Sequence, residues 1–118
     1  MLWILACQPE SPLITETLSD EGTWSIVVTE AQYSLGENKA LLIVTESEQP
    51  AEDISLILHP WMPGMSMADL ASLTGEPQKQ GEYSFQLNFD MTGLWHLDGV
   101  VQHETLASER FTLVVEVL

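Results

Sequence analysis

Apart from Met1, the methionines fall in two places: Met62, Met65 and Met67 lie within six residues, and Met91 stands further along. The first group belongs to the run His59-Pro60-Trp61-Met62-Pro63-Gly64-Met65-Ser66-Met67. Pro60, Pro63 and Gly64 forbid a regular helix or a central strand there, so the run is expected to be a structured loop. Methionine ordinarily fills gaps in a core, and three thioethers in one loop therefore point to one of two roles. The first is a copper(I) site. Copper(I) is soft and takes thioether and imidazole donors, whereas calcium and magnesium require oxygen. The candidate ligands are Met62, Met65, Met67 and Met91, with His59 and His96 as imidazole donors. Thioethers carry no proton, so they remain ligands in an acidic or oxidising compartment. The second role is packing alone. Met91 shares strand parity with Phe85, Leu87 and Phe89 and would cap a core, and Met62 and Met65 would sit on Trp61 or Trp95 through sulfur–aromatic contacts.

Other chemistry is limited. No Gly-x-Ser-x-Gly elbow, phosphate loop, dinucleotide fingerprint or His-Glu-x-x-His occurs, and adjacent carboxylates such as Glu52-Asp53 point to opposite faces of a strand. No enzyme activity is expected. His96 follows Trp95 and is expected on the outer face, while His103 precedes Glu104-Thr105 and is expected in a hairpin turn. A blue-copper carrier needs a cysteine ligand between strands. The single cysteine, Cys7, instead ends the apolar run Leu2-Trp3-Ile4-Leu5-Ala6 and is followed by Gln8-Pro9-Glu10-Ser11-Pro12. That order resembles the end of a bacterial lipoprotein signal, with Ala6 before a cysteine that receives diacylglycerol. Six residues precede Cys7 and none is Lys or Arg, so the segment is either the end of a longer leader or a plain terminus. The first reading implies a lipid anchor at Cys7, and Gln8 favours the outer membrane. No run approaches the roughly 18 apolar residues of a spanning helix.

Eighteen acidic residues face only Lys39, Lys79 and Arg110, a formal net charge of −15. Such a surface repels phosphate backbones, so no nucleic-acid partner is expected. A hydrophobic fraction of 45% over 118 residues suits one globular domain with its own core.

These residues must be positioned by strands. Tyr83 to Met91 alternates without a break, with Tyr83, Phe85, Leu87, Phe89 and Met91 on one face. Glu109–Leu118 alternates likewise, as do Trp24, Ile26 and Val28 with their neighbours. Lys39–Glu46 and Asp53–His59 are near-continuous apolar runs suited to central strands, Trp95–Gln102 is a further strand, and Ala68–Thr74 is a weaker strand or turn-helix. Turn signals at Leu35-Gly36-Glu37-Asn38, Glu48-Gln49-Pro50, Gly75-Glu76-Pro77 and Thr92-Gly93 separate them. About seven antiparallel strands so spaced predict an all-β, immunoglobulin-like sandwich, with an open barrel as the alternative. Chains running up and down between neighbours would bring the Met loop beside the turn at 90–93.

Met62-Pro63-Gly64-Met65-Ser66-Met67, then Gly81-Glu82-Tyr83, then Met91-Thr92-Gly93-Leu94-Trp95 together resemble the YtkA-like domains, related to FixH proteins, across about residues 39–118. The family pattern commonly has Gly where Ser66 stands. The resemblance implies an extracytoplasmic immunoglobulin-like domain. Members of FixH type accompany copper transport and haem–copper oxidase assembly, and they carry a transmembrane helix that has no counterpart here. The expected organisation is a signal remnant at 1–7, a Pro- and acid-rich tether at 8–21 and the sandwich at 22–118. The expected function is a membrane-tethered periplasmic module handling copper(I). The alternative is a metal-free interaction or structural lipoprotein domain that binds another envelope protein.

Overall fold

Alternation of large apolar and polar residues gives each strand one face to bury, and two such sheets satisfy each other. The computed structural model describes residues 13–64 and 72–118, and within them there is no helix. The strands are β1 (Glu16–Leu18), β2 (Ser25–Val28), β3 (Gln32–Tyr33), β4 (Gly36–Glu46), β5 (Gln49–Pro50) and β6 (Ile54–Trp61). They continue as β7 (Leu73–Thr74), β8 (Glu76–Pro77), β9 (Glu82–Phe89), β10 (Gly93–His103) and β11 (Glu109–Val117). One sheet has the order β1-β2-β4-β9-β8, with β5 folded back on β4; the other has the order β3-β11-β10-β6-β7. Every pairing is antiparallel except β3 with β11. Among the long strands the chain crosses between sheets from β4, by way of β5, to β6 and again from β9 to β10; the short β3, β7 and β8 add further crossings. This is the immunoglobulin-like sandwich, with β2, β4, β9 and β8 facing β11, β10, β6 and β7.

The core lies between the sheets and follows the alternation strand by strand. Trp24, Ile26 and Val28 meet Ala40, Leu42, Val44, Phe85, Leu87 and Phe89 from one sheet, and Leu56, Leu58, Trp95, Leu97, Leu113, Val115 and Val117 from the other. Gly99 is the place where two inner-face side chains would collide. A Cβ there would stand 2.1 Å from the Phe111 ring, so the absence of a side chain is what lets Phe111 lie across β10.

Several elements differ from the sequence expectation. His59-Pro60-Trp61, expected as loop, completes β6 beside β10, and the expected turns at Gln49-Pro50 and Glu76-Pro77 pair as β5 and β8. The alternating run ends as a strand at Phe89, and Met91 leaves the core face because the chain turns at Asp90–Thr92 to enter the opposite sheet. The stretch expected as tether contains β1, and Ile14 forms a bridge to Val114, so the folded unit takes in residues on both sides of the expected boundary. Of Ala68–Thr74, Leu73–Thr74 forms β7 on β6, while 68–71 lie outside the described residues. His103 closes β10, and its Nδ1 accepts the Thr105 backbone N–H as the hairpin begins.

β1 is held by a buried carboxylate. Glu109, 5% exposed, accepts the Ser19 hydroxyl at 2.6 Å and the Thr23 N–H at 3.4 Å, while Ser19 Oγ accepts the Trp24 N–H at 3.0 Å. Burial pushes the Glu109 carboxyl up, but the hydrogen bonds from Ser19, Thr23 and Glu21 outweigh it and hold it below the ordinary value of 4.5. A carboxyl depressed in the folded state stabilises the protein above its unfolded pKa, and the stabilisation is lost as pH falls through the lower folded value. Glu109→Gln should therefore cost about 1–3 kcal/mol in urea unfolding at pH 7. The gap between wild type and variant should close on acidification below 4.5. A gap that stays constant with pH would separate the ionised carboxylate from this clamp.

Candidate functional site

The turn joining β9 to β10 is built from the inside outwards. Trp95 is 2% exposed, and its indole sits edge-on to Phe89 with ring centroids 5.1 Å apart. Its Nε1–H donates to the Met91 carbonyl at 3.0 Å, which closes the turn on the core. Gly93 has φ +129°, a conformation that side-chain-bearing residues rarely adopt, and a Cβ there would stand 2.9 Å from the Met62 methyl. The run Met91-Thr92-Gly93-Leu94-Trp95 is thus a packing unit in which Trp95 supplies the anchor and Gly93 supplies the space that Met62 fills. The end of β6 and the start of β10 are held in contact through it.

Strand parity then decides what each methionine and histidine can reach. Met62, 9% exposed, points into the sandwich. Met91, 37% exposed, stands in solvent on the turn. His96 pairs in register with Trp61 on the outer face of β10, with ring centroids 4.8 Å apart, and His59 lies opposite Asp98, one outward-facing position further from the turn. Met62 and the two imidazoles therefore lie on opposite faces of one sheet, and His96 is the imidazole nearer the turn. Met65 and Met67, with Cys7, lie outside the described residues. Among the described residues no three His, Cys, Asp or Glu side chains converge as a metal site.

The same end carries exposed apolar surface. Gly36 pairs with Phe89, Val117 pairs with both Gly93 and Tyr33, and the Leu118 N–H donates to the Tyr33 carbonyl. This register gathers the exposed Leu35, Met91 and Leu118 around the Met62 turn. Beneath them Tyr33 is buried against Phe89, and its hydroxyl has no hydrogen-bond partner among the described residues. Burial, then the Glu30 carboxylate, push its pKa up to about 12.

The residues that sequence reasoning missed lie on the outer face of β6, β10 and β11. Asp98 is half-buried there; its Oδ2 accepts the Trp61 Nε1–H at 2.6 Å and its Oδ1 accepts the Thr112 hydroxyl at 2.8 Å. Period two places Asp98 on the same face as His96. Only cross-strand register, which the sequence does not display, brings Trp61, His59 and Thr112 to it.

Because Gly93 combines a positive φ with a methyl at its Cβ position, Gly93→Ala should destabilise the fold by about 2 kcal/mol or more in urea unfolding. Trp95→Phe, which keeps a ring but loses the bond to the Met91 carbonyl, should cost about 1–2 kcal/mol and broaden the amide resonances of 90–93. A neutral Gly93→Ala would contradict the packing unit.

A family model described as YtkA-like matches residues 16–98. That span includes the Met loop, Gly81-Glu82-Tyr83 and the Met91–Trp95 turn, and the fold continues beyond it through the rest of β10 and β11. No curated protein matches the chain. With most of its length under one family model, and the sandwich and turn in place, the chain belongs to the YtkA-like family.

Proposed function

We propose that this protein is a membrane-tethered extracytoplasmic binding module that takes copper(I) at its Met-bearing end. The observation that carries the reading is Met91: a thioether exposed on a turn whose backbone is locked by Trp95 and Met62. A rigid turn presents its donor at no further ordering cost, which favours metal capture. Pro63-Gly64 leads from the same end to Met65 and Met67, which supplies further thioethers close in sequence. Copper(I) accepts such low-coordinate sulfur sets, and His96 is the available imidazole on that end. Met62, which fills the Gly93 position, serves as the support of the site rather than as its first donor. The lipid on Cys7 would hold the domain at the membrane, in the periplasm or cell envelope, where copper is delivered or tolerated.

A second reading is favoured by Leu35 and Leu118, which flank Met91 and carry no metal-binding atoms in their side chains. In it the same end is a metal-free contact surface for another envelope protein.

The two readings separate in a copper(I) competition titration against a chelator, using the full chain with Cys7→Ser so that no thiolate contributes. The copper reading expects stoichiometric uptake, weakened about tenfold or more by Met91→Leu and abolished by Met65→Leu and Met67→Leu together with it. Uptake indifferent to these changes removes the site, and no uptake leaves the contact surface. For the anchor, mass spectrometry of membrane fractions should find a diacylated Cys7, and Cys7→Ser should release the protein to the soluble fraction. A soluble wild-type protein with an unmodified thiol would retire the tether.

A further inference from the structure

The outer face of β6, β10 and β11 holds a second arrangement, on the other side of the sheet from Met62 and outside the turn that carries Met91. Register sets His59, Asp98 and Thr112 in one row and Ile57, Val100 and Arg110 in the next. With Ser72 these residues line an open groove of about 330 Å³. Its floor is apolar, formed by the half-buried Ile57 and Val100. Its rim is polar and carries one charge of each sign.

The carboxylate is fixed at its oxygens and the arginine only at its backbone, and the two side chains form no ion pair. Asp98 is held by Trp61 and Thr112, one bond to each oxygen, and a carboxylate has about four lone-pair positions, so acceptor capacity remains on the groove side. Arg110 is the sole arginine in a chain with eighteen acidic residues. Its backbone is clamped, with its N–H on Asp20 Oδ1 and its carbonyl accepting the Asp20 N–H, yet no hydrogen bond among the described residues engages its guanidinium. Asp98 and Arg110 are diagonal neighbours across β10 and β11, a relation that separates Cα atoms by about 7–8 Å. An anchored acceptor and a guanidinium fork on diagonal positions of one face can be engaged together by a small ligand that carries both complementary charges.

Electrostatics narrows the ligand further. The field of a domain at −15 repels a free anion and draws cations to the whole surface without selecting this groove. A net-neutral zwitterion escapes that repulsion and uses both rim charges, its carboxylate on Arg110 and its ammonium on Asp98. The apolar floor adds preference for an aliphatic body, and the volume is at the lower limit for small-molecule sites. We propose that this groove binds a small zwitterionic amino acid with an aliphatic side chain, read by Arg110, Asp98, Ile57 and Val100.

The test is an NMR titration of the full chain with L-valine, with isovalerate, which lacks the ammonium, and with isobutylamine, which lacks the carboxylate. Valine should give saturable shifts at the amides of Ile57, His59, Val100 and Thr112 and bind about tenfold or more tighter than either analogue, one charge-assisted contact being lost in each. Arg110→Gln, a change to an exposed side chain with no hydrogen bond to lose among the described residues, should weaken valine about tenfold and leave isobutylamine unchanged. Asp98→Asn should weaken valine and leave isovalerate unchanged, provided its amide spectrum stays dispersed. The proposal is overturned by an absence of saturable shifts with valine, by equal binding of either analogue, or by an Arg110→Gln variant that binds valine as the wild type does. None of these outcomes bears on the copper titration, which reads Met91.

Discussion

Burial of Trp95 is the constraint from which the Met-bearing end of the molecule follows. A tryptophan in the sandwich must bury a large apolar ring and also satisfy its indole N–H. Both needs are met by one geometry, in which the ring lies on Phe89 and the N–H closes on the Met91 carbonyl. The turn between the two sheets is thereby fixed, Gly93 is left in a conformation that tolerates no side chain, and the vacated volume is taken by Met62 from the end of β6. Met91 is held in solvent as a consequence of what its own carbonyl does. In this chain Met91-Thr92-Gly93-Leu94-Trp95 is therefore first a device for packing, and its exposed Met91 comes from that packing.

The two faces of the β6–β10–β11 sheet have been put to different uses. The inner face is continuous hydrocarbon, and its requirements set the strand register. The outer face inherits that register and gathers His59, Trp61, His96, Asp98, Arg110 and Thr112 without any of them being adjacent in sequence. On this face polar residues satisfy one another at a cost that solvent keeps small. On the inner face the Tyr33 hydroxyl has no hydrogen-bond partner among the described residues, a desolvation cost that burial of its ring against Phe89 offsets.

At the far end, the buried Glu109 plays for β1 the part that Trp95 plays for the Met turn. It supplies acceptors for donors that the bend at Ser19–Trp24 would otherwise leave unpaired. Since Asp20 also bonds Arg110 in both directions, the first strand is stitched to the start of β11, and the N-terminal segment enters the fold earlier than its Pro-rich, acidic composition suggests. Composition reports on solvation, and it is blind to a three-residue edge strand held by one carboxylate.

Hydrophobic patterning by itself determined the fold class, the long strands and nearly the whole core, because burial of one face is dictated locally; the two-residue strands β3, β5 and β8 carry no such pattern, and Gln49-Pro50 and Glu76-Pro77 read as turns. Tyr83, Phe85, Leu87 and Phe89 were legible for that reason, as were the outward position of His96 and the short turn at Gly93. The pattern Met-Pro-Gly-Met with Met-Thr-Gly-Leu-Trp carried the family as well. Tertiary structure alone decided that Met91 leaves the core face, that Met62 turns inward to fill a glycine, and that Asp98 is met by Trp61 and Thr112. Those outcomes depend on which strand lies beside which and in what register, and on a chain crossing between sheets. Such choices are made by the packing of the whole sandwich, which no local stretch of sequence encodes.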